Sequence, residues 1–351
     1  MSMLCRNSVA LGIAPWLAVS FSTPSFAGAG TVESKIDLRV SPALDMHFQM
    51  RSLSRKVDDQ IPAAFRPAVA AVRTIDKSAE GGGLTWGVID SALNDCRTAK
   101  QILDVFSTFS ETYRSKFGQP SDPVPLRAPA VALAEEYVKL EPEYLRDHWP
   151  ARKRSIEERL ADATDHFLPK VEPCLVYMLE HLGMQDPRAT IPVYLVVDMH
   201  WPGASTYKTD GGGALCIVGI NREDFEGGLL YETILHEATH ALDIVTGSES
   251  VFEGMRDKML AAGVPRRNRL FHDVPHTVMF VQAAETIRRV VDPAHVHYGV
   301  VSRYYDRISR PGEPVGDKVR EVWIRYLDGA VTRSAAVDEL VSWTAEKAKL
   351  D

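Results

Sequence analysis

The sequence predicts a mainly helical α+β protein, in which an N-terminal helical scaffold precedes a small antiparallel sheet and a helix that follows the sheet directly. Three observations support this class. Apolar residues recur every three or four positions through most of residues 61–182, which is the spacing of one face of a helix. Two short runs at 191–198 and 214–220 are instead rich in β-branched and aromatic residues. The segment 225–245 then returns to helical periodicity.

The first 27 residues have the three-part pattern of a secretory signal peptide. Arg6 supplies a positive charge, an apolar stretch runs from Val9 to Val19, and the small residues Ser25 and Ala27 precede the predicted cleavage site. The apolar stretch is shorter than the roughly 20 residues that a membrane-spanning helix needs. We therefore expect cleavage near Ala27, an exported (periplasmic or secreted) mature protein, and no stable insertion in a membrane.

Residues 28–185 are expected to form the helical scaffold, in which no catalytic motif is visible. Glycine and proline interrupt the helical periodicity at 81–83, at 119–125 and near Pro187. The helices predicted between these breaks span residues 61–75, 98–117, 130–145, 151–167 and 170–182.

Residues 186–351 are expected to form the second region and to pack with the scaffold as one unit. The glycines, proline and aspartate of 201–213 are typical of a long hairpin loop, which would pair the strands predicted at 191–198 and 214–220 as antiparallel neighbours. Helices are predicted at 225–245, 275–291, 315–327 and 335–347.

The charge and the cysteines restrict the partners and the kind of metal site. Because Arg6 is the one charged residue among the first 27, cleavage changes the net charge from −7 to −8. Nucleic-acid binding needs a basic surface, so nucleic acid is not an expected partner. Cys96, Cys174 and Cys216 remain, and export permits a bridge between the first two, although the spacing does not establish it. No Cys-x-x-Cys is present, which disfavours a cysteine zinc site.

Residues 236–240 read His-Glu-Ala-Thr-His, within the helix predicted at 225–245. Residues four apart lie on one face of a helix, so the imidazoles of His236 and His240 can bind one Zn²⁺. Zinc lowers the pKa of a bound water to roughly 7, and Glu237 can take the proton as general base. The motif alone is suggestive only, but its apolar helical flank and the strands upstream favour a metal site over a chance match.

This arrangement resembles the zincin metallopeptidases, of the gluzincin-like kind, over roughly residues 190–290, and it is similar to uncharacterised exported proteins grouped as metallopeptidases. In zincins a sheet precedes the active-site helix, and its edge strand holds an extended peptide. By this resemblance, residues 214–219 would be the edge strand. The metzincin subclass is not matched, because Asp243 and Thr246 occupy the places of its glycine and third ligand. Asp243 is instead expected to orient a histidine.

The resemblance to gluzincins implies a third zinc ligand from a later helix, and Glu285 fits best. It lies in the apolar run 278–290, where a buried carboxylate needs a metal or a cation to offset its loss of hydration. The alternative is a simple ion pair with Arg289, four residues later. Glu249 and Glu253 are weaker candidates, in a segment expected to be a loop.

Two further side chains are candidates for catalysis. His276 either binds the metal or donates a hydrogen bond to the tetrahedral oxyanion. Tyr298 follows the same predicted helix, and zincins use a tyrosine or a histidine from this later region to stabilise the oxyanion. An ordinary structural role is the alternative for both residues.

The function expected from these observations is that of a zinc metallopeptidase that hydrolyses amide bonds of a peptide or protein, with Glu237 passing the proton to the leaving amine. Two other functions stay open: a zinc hydrolase of a non-peptide substrate, and a non-catalytic exported protein that uses the metal or the helix for stability. The sequence does not indicate the oligomeric state.

Overall fold

A four-stranded sheet organises the fold in the computed structural model of the protein. The structure describes residues 33–78, 83–108, 126–199, 203–209, 212–221, 225–247 and 250–349. The predicted signal peptide, residues 1–27, therefore lies outside the described residues. Residues Val32–Asp351 group into one compact unit.

The strands are β1 (Lys35–Val40), β2 (Thr190–Val196), β3 (Ala204–Lys208) and β4 (Ala214–Gly219), in the sheet order β1-β2-β4-β3. The pairs β1–β2 and β2–β4 are parallel, whereas β3–β4 is antiparallel. The predicted antiparallel pairing of β2 with β4 is therefore wrong. The physical reason is β3, which lies within the predicted hairpin loop and reverses the chain, so that β4 returns in the direction of β2.

The helices confirm the mainly helical α+β class. They are α1 (Pro42–Leu53), α2 (Arg66–Ser78), α3 (Gly83–Ser91), α4 (Ala99–Ser107), α5 (Arg127–Glu143), α6 (Trp149–His166), α7 (Val171–Leu182), α8 (Gly228–Thr246), α9 (Val251–Ala261), α10 (Leu270–Thr286), α11 (Tyr298–Val301), α12 (Tyr304–Ile308), α13 (Val315–Leu327) and α14 (Arg333–Lys347). A π-helical turn extends α5 through Tyr144–His148, and another extends α10 through Ile287–Val291. The sequence did not predict the strands β1 and β3 or the helices α1, α3, α9, α11 and α12.

The two central strands, β2 and β4, are buried on both faces between two helical layers. One face belongs to a core built with α1 to α5, and the other to a core built mainly with α6 to α10, α13 and α14. Strands buried on both faces are continuously apolar, as these two are. The residues that face the first core are Tyr194, Val196, Leu215 and Ile217, and those that face the second are Val193, Leu195, Cys216 and Val218.

The three cysteines of the described chain are free and buried. Cys96 lies in the first core, whereas Cys174 and Cys216 lie in the second. The bridge between Cys96 and Cys174 that export would permit is therefore not formed. Among the described residues, no helix combines the length and apolarity needed to cross a membrane.

A buried carboxylate connects the two helical layers at the end of β2. Asp45 of α1 is fully buried and accepts hydrogen bonds from the Tyr144 hydroxyl, from the Arg152 guanidinium of α6 and from the Val197 N–H. Arg152 also pairs with Asp198, at 2.8 Å. Because Asp45 is fully buried and the Arg152 side chain is only 12% exposed, the loss of either charge would leave the other without compensation in a largely desolvated place.

We expect Asp45→Asn to lower the free energy of unfolding by about 2–4 kcal/mol, because it leaves Arg152 without its buried counter-charge. Urea denaturation measures the loss. Asp37→Asn is the matched control, since Asp37 pairs with Arg39 on β1 at 43% side-chain exposure, and a pair so exposed contributes at most about 1 kcal/mol. Equal losses in the two variants would contradict a special role for Asp45.

Candidate metal centre

Helix α8 carries the His-Glu-x-x-His motif and packs on β3, β4 and α10. Gly227 precedes it with φ 49° and Gly247 follows it with φ 61°, backbone conformations that glycine adopts without strain. His236 and His240 lie one turn apart on the same face, and their Nε2 atoms are 3.2 Å apart.

His276 of α10 completes a group of three imidazoles. One ligand nitrogen from each histidine lies within 4.8 Å of the other two. The centre of the His276 ring is 5.1 Å from the centres of both other rings. Nitrogens bound tetrahedrally to zinc at about 2.0–2.1 Å are about 3.3 Å apart, which is close to the separation of the two Nε2 atoms of α8. The described chain thus has a donor set that could bind a metal ion.

Burial keeps the three imidazoles neutral. It lowers the pKa of His276 to about 4, and it lowers the pKa values of His236 and His240 well below the usual range. The neighbouring histidines and the Arg256 guanidinium of α9 add to the shift, because each disfavours a further positive charge. Neutral imidazoles keep a lone pair for a metal ion at pH 7.

Two aromatic side chains hold the rings in place. The Tyr304 hydroxyl is 3.0 Å from His276 Nδ1, so that Nε2 is the nitrogen left to a metal. Phe280 stacks on the His236 ring with the ring centres 3.8 Å apart. Packing rather than a hydrogen bond orients that ring, since His236 Nδ1 is buried without a partner. Sequence analysis missed Phe280, which reads as one more core residue of an apolar helix.

Glu237 lies beside the histidines and is held against the sheet. The Thr206 hydroxyl of β3 donates a 2.6 Å hydrogen bond to its Oε2. Burial raises the pKa of Glu237 to about 7, against the opposing effect of that hydrogen bond. A carboxyl group that titrates near neutrality can both accept and return a proton. Thr206 was not predicted, because its segment reads as a loop.

The histidines and Glu237 face a cavity of about 510 Å³. All five residues of β3, Ala204–Lys208, line it, together with the aromatic side chains of Phe225, Phe280, Tyr298 and Tyr304. The edge strand at the cavity is therefore β3. The prediction that residues 214–219 form this edge is wrong, because β4 pairs on both sides and is buried along its whole length.

Glu285 is not part of the group of three histidines. Its carboxylate accepts hydrogen bonds from His297, Arg288 and Arg289. Burial by itself would raise the pKa of Glu285, but these bonds outweigh it and lower the pKa to about 2. The cations that compensate the buried carboxylate of Glu285 therefore come from the π-helical extension of its own helix. The ion pair with Arg289, which was the alternative to a ligand role, is present at 2.9 Å.

The remaining candidates lie around the centre. Tyr298 lines the cavity and packs edge-on against Phe225. Asp243 pairs with Ser250 and Arg256 rather than with a histidine. Glu253 is on α9 rather than in a loop, and it also pairs with Arg256. Glu249 lies outside the described residues.

Compared with known proteins, the chain matches no family model, no curated protein sequence and no solved structure.

The raised pKa of Glu237 has a consequence for the stability of the metal-free protein. The pKa of Glu237 in the folded protein, about 7, lies above the ordinary value of 4.5 for an unfolded glutamate, so the stability that it contributes is complete below about pH 4.5 and is lost as pH rises through 7. We expect Glu237→Gln, which carries no charge, to raise the free energy of unfolding by about 1–3 kcal/mol at pH 8 and to change it little at pH 4.5.

Chemical denaturation in the presence of a chelator measures this difference at the two pH values. The exposed Glu158→Gln is the control and should show no such dependence. A Glu237→Gln variant that is no more stable than the wild type at pH 8 would contradict the raised pKa.

Proposed function

We propose that the protein is a zinc-dependent peptidase, in which His236, His240 and His276 hold the metal and Glu237 is the general base. One observation carries this proposal: three neutral imidazoles and a carboxyl group with a pKa of about 7 line the same cavity. Catalytic zinc sites typically have three protein ligands and leave the fourth position to water or substrate, whereas structural sites usually have four protein ligands. When bound there, zinc supplies Lewis acidity, which makes water nucleophilic at neutral pH.

The protein's own residues account for the proton transfers. Glu237 accepts a proton from the attacking water and returns it to the leaving amine, and in the metal-free protein burial already raises the pKa of this carboxyl group to about 7. Thr206 positions the carboxylate through Oε2. Tyr304, next to His276, and Tyr298, on the cavity wall, are the candidates to stabilise the oxyanion.

A peptide is the substrate that the cavity favours. An extended peptide can add to the exposed edge of a sheet through backbone hydrogen bonds, and β3 is the last strand of the sheet and lies along the cavity. The aromatic side chains beside it provide an apolar surface for a substrate side chain. The signal peptide predicted at residues 1–27 would place this activity outside the cytoplasm.

Metal analysis tests the ligand set. We expect the mature chain, purified without chelator, to contain one zinc ion. His276→Ala should bind zinc more than about 100-fold more weakly, because the loss of a ligand costs more affinity than the roughly 10- to 100-fold that is typical for the loss of a residue that only orients a ligand. Glu285→Gln should retain zinc, since its carboxylate is bonded to His297 and two arginines. Loss of zinc in Glu285→Gln with retention in His276→Ala would reverse the assignment of the third ligand.

Hydrolysis of a peptide library, followed by mass spectrometry, tests the activity. We expect Glu237→Gln to reduce the rate by about 10²- to 10⁴-fold while zinc stays bound, because the variant loses the general base and no ligand. Glu253→Gln is the matched control on the neighbouring helix and should retain activity. A wild-type protein that binds zinc and cleaves no peptide would contradict a peptidase.

A further inference from the structure

A second buried carboxylate lines the cavity, and the mechanism above does not use it. Glu232 lies on α8 one turn before His236, is 1% exposed and belongs to the cavity wall. Its Oε2 accepts two hydrogen bonds of 2.7 Å, from His295 Nε2 and from the Tyr298 N–H. Its Oε1 is buried and has no hydrogen-bond partner.

The two hydrogen bonds to Oε2 hold the Glu232 side chain in a defined position. His295 is itself buried and lies against Gly228, in the first turn of the same helix. A Cβ atom at residue 228 would come within 2.7 Å of His295 Nδ1. Glycine at position 228 leaves room for the His295 ring to reach Glu232. The segment from His295 to Tyr298 then holds the carboxylate through its Oε2 atom alone.

The comparison with Glu285 shows what Glu232 lacks. Both carboxylates are 1% exposed and each contacts one histidine, His297 for Glu285 and His295 for Glu232, but only Glu285 also pairs with two arginines. Burial raises the pKa of Glu232, and the bonds from His295 and Tyr298 only partly oppose it. The two cations on the cavity wall, Lys208 and Arg307, are exposed. A buried carboxylate that is half satisfied is costly to the fold.

Its location separates Glu232 from other incompletely bonded groups. Tyr305 and His297 also have a buried polar atom without a partner, but neither lines the cavity. Of the described side chains with such an atom, Glu232 and the metal-centre residue His236 line it. Unpaired polar groups in a cavity are the ones that a bound molecule can satisfy.

We propose that Glu232 forms a subsite for a primary ammonium group of the substrate, which donates to Oε1 from the side of the cavity. An ammonium ion supplies both the missing hydrogen bond and the missing positive charge. The group belongs either to a peptide amino terminus or to a lysine side chain. In naming part of a substrate the assignment rests on the proposed function, but the subsite itself can be tested without hydrolysis.

The test measures the dissociation constants of phenethylamine and phenethyl alcohol by calorimetry at pH 8, on the full mature chain with a chelator present. The two probes share an apolar ring, which suits the aromatic wall of the cavity, and differ in charge. The chelator is present so that the amine cannot bind to a metal ion instead of Glu232. We expect the amine to bind at least about tenfold more tightly than the alcohol. Glu232→Gln should remove this preference and leave the affinity for the alcohol unchanged.

Two variants serve as controls. Glu237→Gln removes the other carboxylate of the cavity, and Glu226→Gln removes the exposed carboxylate that pairs with Arg159 just before α8. Both should keep the preference for the amine. If Glu232→Gln does not fold, the preference of the wild type and its persistence in Glu237→Gln support the subsite.

Three outcomes would overturn the proposal: equal affinity of the wild type for both probes, a preference that survives in Glu232→Gln, or a preference lost in Glu237→Gln. A water molecule that satisfies Oε1 permanently would produce the first outcome. A preference that depends on Glu232, in a protein that cleaves no peptide, would support the subsite and contradict the peptidase. Phenylalanine amide and Nα-acetyl-lysine amide, compared in the same assay, distinguish an amino terminus from a lysine side chain.

Discussion

The burial of three imidazoles where α8 meets α10 is the constraint on which the rest of the centre depends. Removing these rings from water disfavours their protonated forms, and Arg256 disfavours those of His240 and His276 further. The rings then stay neutral, which is the state that a metal requires of them. Tyr304 and Phe280 complete the arrangement, since one binds a ring nitrogen and the other covers a ring face.

The sheet contributes to the same centre through its edge strand β3. Strand β3 is short and partly polar, yet it provides Thr206 to the carboxylate of Glu237 and one wall of the cavity. Its position at the edge depends on β4, which pairs with it on one side and with β2 on the other. The two apolar cores that enclose β2 and β4 therefore support the site as well as the fold.

Two glutamates on neighbouring helices show how the surroundings determine the role of a buried carboxylate. Glu285 is surrounded by Arg288, Arg289 and His297, so its charge is compensated within the fold. Glu232 lines the cavity, is hydrogen-bonded through one carboxylate oxygen, and has no partner for the other, which is buried. From sequence alone the two are hard to distinguish, because both lie in apolar helical segments. The arginines near Glu285 were visible at helical spacing, but nothing in the sequence indicated that they, rather than a metal, compensate its charge.

The sequence by itself determined the helical class, most of the long helices and the placement of His236, Glu237 and His240 together on α8. These features are local, since a helical period and a four-residue spacing are complete within a few turns. Tertiary structure alone decided that β2 and β4 run parallel, that β3 is the edge strand, and that His276 rather than Glu285 joins the histidines of α8. Each of these depends on contacts between segments far apart in the chain, and the sequence of one segment does not specify its distant neighbour.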